Sequence, residues 1–202
     1  MGLSESLRIV LRDYAESLIL AIVLALLVRL FVVGAYRIPS DRMAPTLVRG
    51  DFVLAYKIPF GLRWPFVEKK TWQGRPPKRG EIVVFRCPGF RQKRCLKRVA
   101  AVEGDRLEIR EGGLFINEKA QGFPPASAGL AAYGPVVVPP GHFFALSDDL
   151  QSPEDSRSWG AVRVEDLDGR VLMIWLSLDW DRGTEHRQWP SVRWERLFQW
   201  IH

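Results

Sequence analysis

The 202-residue sequence predicts a mainly β domain preceded by one N-terminal transmembrane helix. Three observations lead there. One long apolar run, Ser17 to Ala35, stands near the start. Beyond Tyr36 the apolar residues come in short runs cut by Gly, Pro and Asp, which is the punctuation of many short strands. A hydrophobic content of 47% lets a domain of this size bury its own core, which argues against disorder.

The apolar run reads SLILAIVLALLVRLFVVGA. At about 1.5 Å per residue it nearly spans the roughly 30 Å hydrocarbon layer. Arg29 lies near its end and can extend its side chain to the interface at a cost of about 3 kcal/mol or less. A cleaved signal peptide competes with this reading, because Leu18 to Val28 has the character of an h-region and Val33-Gly34-Ala35 offers small residues for cleavage. The apolar stretch resumes after Arg29 through Leu30, Phe31, Val32 and Val33, which favours an anchor. Residues 15–35 are therefore assigned to the membrane and 36–202 to a β domain. Arg8 and Arg12 precede the span, so residues 1–14 are expected in the cytoplasm and the β domain outside it.

Strands are expected at Phe52–Ala55, Ile82–Phe85, Val136–Val138 and Val171–Leu176. Leu107 to Ile109, a Gly112-Gly113 turn and Leu114 to Ile116 read as a hairpin, and Gly122–Pro140, rich in Gly, Ala and Pro, as loop. Together they make a small inserted β region over 106–142. Two aromatic stretches stand out, Ile58–Phe66 and Trp189–Ile201. In the second, Trp194, Leu197, Phe198 and Ile201 fall at i, i+3, i+4 and i+7, the spacing of an amphipathic helix packed on its domain or lying at the membrane interface.

The net charge of +6 suits an anionic partner (nucleic acid, lipid headgroups or an acidic protein) without choosing among them. Cys87 and Cys95 form neither a CxxC pair nor a metal spacing, and with only three histidines no metal is expected. Their separation allows a disulfide across a hairpin in an oxidising compartment, or two unlinked half-buried thiols. Arg91 to Arg98 is a basic run of the kind found on solvated faces and nucleic-acid patches. Strand alternation places Lys97 with Cys95, Val99 and Ala101, and Arg98 with Leu96, Ala100 and Val102. Both faces are apolar, so the pattern does not choose which cation is buried.

The segment Tyr36–Asp51, YRIPSDRMAPTLVRGD, strongly resembles the type I signal peptidase motif, Ile-Pro-Ser-x-Ser-Met-x-Pro-Thr-Leu, which follows the anchor and leads through Gly-Asp into a strand. Ile38, Pro39, Ser40, Met43, Pro45, Thr46, Leu47, Gly50 and Asp51 match. Pro77–Arg86 and Cys95–Asp105, containing Lys97-Arg98, are similar to the next two motifs of that family. Val138–Asp149 through Ser152–Gly160 resembles the last, with Asp155, Ser156, Arg157, Trp159 and Gly160 in register and Gly169-Arg170 after it. The likeness runs from the anchor to Trp189.

That resemblance implies a signal peptidase-like β domain on a single-pass plasma (inner) membrane anchor. It implies an extended groove that accepts signal peptides as an added strand, for cleavage after Ala-x-Ala. The groove would involve Ile38, Pro39, Met43, Leu47, Cys95 and Leu96. Lys97 would be the general base, a role that needs burial to lower its pKa. Ser40 would serve the oxyanion hole. Asp148, Asp155 and Arg157 would be structural support. The implied partners are signal peptides and the lipid bilayer, with no nucleic acid and no cofactor.

Arg42, however, occupies the position of the family's nucleophilic serine. A guanidinium stays protonated and has no lone pair with which to attack a carbonyl. Ser147-Asp148-Asp149 stands where the family has Gly-Asp-Asn, and Pro153 where it has a serine that orients the lysine. Motif positions that carry chemistry have changed while framework positions remain, so peptidase activity is expected to be lost or severely reduced, as in a pseudoenzyme. The competing expectation is an active peptidase using Ser40 with Lys97 as base, with Thr46 and Ser152 as weaker candidates. A basic nucleic-acid-binding β domain is a third expectation, opposed by the anchor and by the register of the motifs.

Overall fold

The computed structural model describes residues 2–61, 74–122, 131–151, 154–180 and 189–201. Helix α1, Gly2–Leu27, runs on into a π-helical turn at Val28–Val32. Within them Val10–Val32 has a mean hydropathy of 2.4, and none of its most apolar stretch is buried. It is long and apolar enough to cross a membrane. The helical part ends earlier than the expected boundary at residue 35, because Val33–Arg37 form strand β1. The cause is a cap from the domain: Lys57 Nζ donates to the carbonyls of Arg29 and Leu30 at 3.0 and 3.2 Å, and the Lys57 N–H to that of Val32 at 2.9 Å. Carbonyls that a continuing helix would have bonded are satisfied there.

The remaining strands are β2 (Asp51–Tyr56), β3 (Ile82–Cys87), β4 (Phe90–Val102), β5 (Arg106–Arg110), β6 (Gly113–Ile116), β7 (Lys119–Gln121), β8 (Tyr133–Val137), β9 (His142–Leu146), β10 (Val162–Arg163), β11 (Leu167–Asp179), β12 (Ser191–Val192) and β13 (Gln199–Trp200); helix α2 is Ser156–Trp159. The large sheet has the order β1-β2-β11-β3-β4-β9-β10, with β12 and β13 added on β11. A four-stranded sheet, β7-β6-β5-β8, comes from the inserted region. Every expected strand run falls in or against one of these strands.

The inserted sheet packs Leu107, Ile109, Leu114 and Ile116 onto Phe144 and Leu146 of β9. It is tied at its base by Asp105, whose carboxylate pairs with Arg79 and accepts from Asn117 Nδ2 at 3.0 Å. Part of the expected loop over 122–140 is strand β8. Pro135 is accommodated because β8 pairs only with β5, so an edge lacking one N–H breaks no ladder. Gly134 sits at φ 88°, where a Cβ would come within 2.7 Å of the Leu107 carbonyl.

The expected amphipathic helix at the C-terminus does not form. Trp194–Arg196 make one 3-10 turn, and β13 then pairs with Met173 and Ile174 of β11. Tertiary hydrogen bonds override the local periodicity: Arg196 Nη2 donates to the buried Asp51 at 2.7 Å and to the Thr46 carbonyl at 3.0 Å. In the other aromatic stretch, Ile58–Phe60 form a 3-10 turn with Phe60 buried; the part beyond residue 61 lies outside the described residues. Of the two possibilities for the cysteines, the bonded one holds. Cys87 and Cys95 join the arms of the β3–β4 hairpin, with Cα atoms 5.2 Å apart.

Candidate active site

Three apolar anchors, Ile38, Met43 and Leu47, fasten the β1–β2 connection to the large sheet. Between them the backbone turns, with Ala44 N–H donating to the Asp41 carbonyl and Leu47 N–H to that of Met43, both at 2.8 Å. The Asp149 N–H donates to the Arg42 carbonyl at 3.0 Å, tying this loop to the segment after β9. Arg42, placed between anchors, directs its side chain outward. Its guanidinium forks onto the Glu154 carboxylate at 2.7 and 2.5 Å, with both side chains substantially exposed.

Lys97 and Arg98 follow one another in β4 and are both buried, at 5% and 8% exposure. Their surroundings differ. Arg98 donates twice to Asp148, at 2.8 and 2.7 Å, and also to the Gly80 carbonyl and Thr46 Oγ1. Lys97 Nζ donates to Ser147 Oγ at 2.7 Å. Burial pushes the Lys97 amine down to about 8; the Asp155 carboxylate opposes that shift and the Arg42 cation adds to it.

Ser147 is held in turn. Its N–H donates to Asp155 Oδ2 at 3.1 Å, and Asp155 caps α2 while Arg157 grips both of its oxygens at 2.9 and 2.7 Å. Arg157 also donates to the Leu150 carbonyl at 2.7 Å, closing the segment on itself. These bonds fix the main chain of Ser147 and of the segment after it, and so the place from which the Ser147 hydroxyl meets Lys97.

A cavity of about 180 Å³ opens beside Lys97. Ile38, Pro39, Met43, Cys95 and Leu96, expected in the groove, line it, as do Ser40, Arg42 and Lys97. Leu47, also expected there, is not among the lining residues. It is completely buried in the core with Val53 and Ala55, because it serves as the loop's third anchor. Thr46 turns its hydroxyl to Arg98. Ser152 and Pro153 lie outside the described residues. Among the described residues no cluster of three His, Cys, Asp or Glu is placed to hold a metal.

The signal peptidase family model, peptidase S26, matches residues 11–176. The chain belongs to the signal peptidase family. Signal peptidase I of Pseudomonas fluorescens is 30% identical to it over 82% of this chain and 72% of that one. A probable signal peptidase I-2 of Synechocystis is 32% identical over 80% and 71%. The thylakoidal processing peptidase 1 of Arabidopsis thaliana is 31% identical over 86% of this chain and 51% of that one. A crystal structure of a signal peptidase I from Enterococcus faecalis aligns with a TM-score of 0.43 at 23% identity, over 48% of this chain and 97% of that one.

Two residues of this signal peptidase-family chain escaped the sequence reading. The loss of a hydroxyl at Pro153 was expected to leave Lys97 without an orienting partner, yet Ser147 supplies one. The signal was the serine in place of glycine three residues before Leu150, which alone did not reveal the direction of its side chain. Glu154 was missed because only the folded loop brings it to Arg42, 112 residues away in the chain.

Proposed function

We propose that this chain is a membrane-anchored member of the signal peptidase family that receives the C-terminal region of signal peptides as an added strand and does not hydrolyse it efficiently. One arrangement carries the reading. Lys97 is buried, its pKa lowered to about 8 by desolvation, and faces the hydroxyl of Ser147, which has no exposure to a substrate; Arg42, at the position matched to the nucleophile, is a permanent cation. The base is prepared and the attacking group is absent. Asp148, Asp155 and Arg157 hold the site in shape, Asp155 through Ser147 and Asp148 through Arg98. The hairpin disulfide supports an extracytoplasmic domain, with the N-terminus in the cytoplasm.

A purified-protein assay on a preprotein whose signal ends in Ala-x-Ala tests this. The wild type is expected to release no product above background. Arg42→Ser is expected to restore cleavage, since Ser147 already supplies the hydroxyl that Pro153 cannot. Cleavage by the wild type that Lys97→Ala abolishes would sink the reading.

A second reading rests on Ser40, which lines the same cavity as Lys97 and carries a partly exposed hydroxyl. In that case the wild type cleaves and Ser40→Ala removes the activity.

A further inference from the structure

The cavity beside Lys97 carries four cationic side chains, Arg37, Arg42, Arg94 and Lys97, and no carboxylate among its lining residues. Two of them have fixed companions. Arg37 lies over the rings of Phe52 and Trp180, and Arg94 pairs with Asp168. Arg42 and Lys97 have lighter partners, the exposed Glu154 carboxylate and the neutral Ser147 hydroxyl, and they face whatever enters. An uncut peptide presents a neutral amide at this point, whereas a peptide already cut ends in an α-carboxylate. A planar guanidinium matches a carboxylate with two parallel hydrogen bonds, and charge-assisted bonds of this kind are about twice as strong as neutral ones.

Arg42 already displays that geometry. Glu154 occupies its fork with both carboxylate oxygens, although Arg42 and Glu154 are 43% and 58% exposed. Exposed ion pairs contribute little, so an incoming carboxylate can displace this one.

We propose that this site selects peptides ending in a free α-carboxylate after small side chains, the fragment left once a signal peptide has been cleaved. Arg42 and Lys97 are the partners of that carboxylate, and Glu154 is an intramolecular stand-in that competes for Arg42. The inference rests on the reading that the groove accepts signal-peptide C-regions. It adds that the nucleophile position has become a recognition position for the product of hydrolysis.

The test measures fluorescence anisotropy of labelled peptides ending in Ala-x-Ala, as free acid or C-terminal amide, with the full chain in detergent micelles. The acid is expected to bind about 10-fold tighter or more. An amide peptide with one Asp added far from its C-terminus, matched to the acid in net charge, is expected to bind like the plain amide. Arg42→Ala should reduce the acid-to-amide ratio to near one, and Glu154→Gln should tighten the acid several-fold while leaving the amide unchanged. Thermal melts check that each variant is folded. Equal binding of acid and amide by the wild type, or a preference that survives in Arg42→Ala, overturns the carboxylate proposal while leaving the groove intact. Binding of neither peptide overturns the groove reading and this inference with it.

Discussion

Lys97 and Arg98 are adjacent cations of one strand, buried to nearly the same extent, and they differ in almost everything else. Arg98 has a carboxylate fork, a carbonyl and a hydroxyl around its guanidinium. Its charge is neutralised where it stands, and it joins β4 to the segment carrying Asp148. Lys97 has one neutral hydroxyl as hydrogen-bond partner and a depressed pKa. Burial alone therefore does not make a residue chemical. A cation with full compensation becomes a fastener, and one left short of it has its pKa lowered.

The largest effect expected from this contrast is on the Arg98 side. Asp148→Asn leaves a buried guanidinium without its counter-charge, and removing one partner of such a pair costs about 3–5 kcal/mol. Urea unfolding of the full chain in micelles reads it. A loss below 1 kcal/mol would erase the distinction between the two cations.

Next comes pH. The Lys97 amine titrates at about 8 in the folded chain against 10.5 unfolded, so between those values the unfolded state binds the extra proton. Stability contributed through this group therefore rises as pH rises from 8 to 10.5, by up to roughly 3 kcal/mol in total. The difference in stability between wild type and Lys97→Met isolates it from other titrating groups. A difference that stays constant over that interval contradicts the depressed pKa.

Ser147→Ala should cost about 1 kcal/mol and push the Lys97 pKa further down, since the charged amine loses its acceptor. Lysine side-chain NMR follows the titration directly, and an unchanged midpoint would mean that the hydroxyl does not matter to the amine. Smallest of all is Arg42→Ala, expected to change stability by less than about 1 kcal/mol, with the effect fading in high salt. A larger loss would make the Arg42–Glu154 pair a second fastener.

Much of this was legible in the residues. Short apolar runs marked β2, β3 and β11, and the Gly112-Gly113 turn marked the β5–β6 hairpin, because those signals depend on a few neighbouring residues. The first half of β8, around Pro135, and the C-terminal β13 were not legible, since Pro135 is tolerated only by virtue of being on an edge and Arg196 is claimed by Asp51 from across the domain. Alternation could not choose between Lys97 and Arg98 for a related reason. Leu96 packs against one apolar cluster and Cys95 and Val99 against another, so both faces of β4 are covered and successive residues are buried. The motif positions Ser40, Arg42 and Lys97 come together on one cavity, while the hydroxyl of Ser147 and the carboxylate of Glu154 depended on where a later loop folds back.

Three of the hydrogen bonds that shape the loop around residue 42 join main-chain groups alone: Ala44 to Asp41, Leu47 to Met43, and Asp149 to Arg42 itself. Every amino acid other than proline brings the same main-chain groups. Position 42 is in this sense a socket, whose shape is kept by its neighbours and whose fitting can be exchanged. On the reading proposed above, the step between hydrolase and receptor is one exchange of side chain in a socket whose main-chain frame is unchanged.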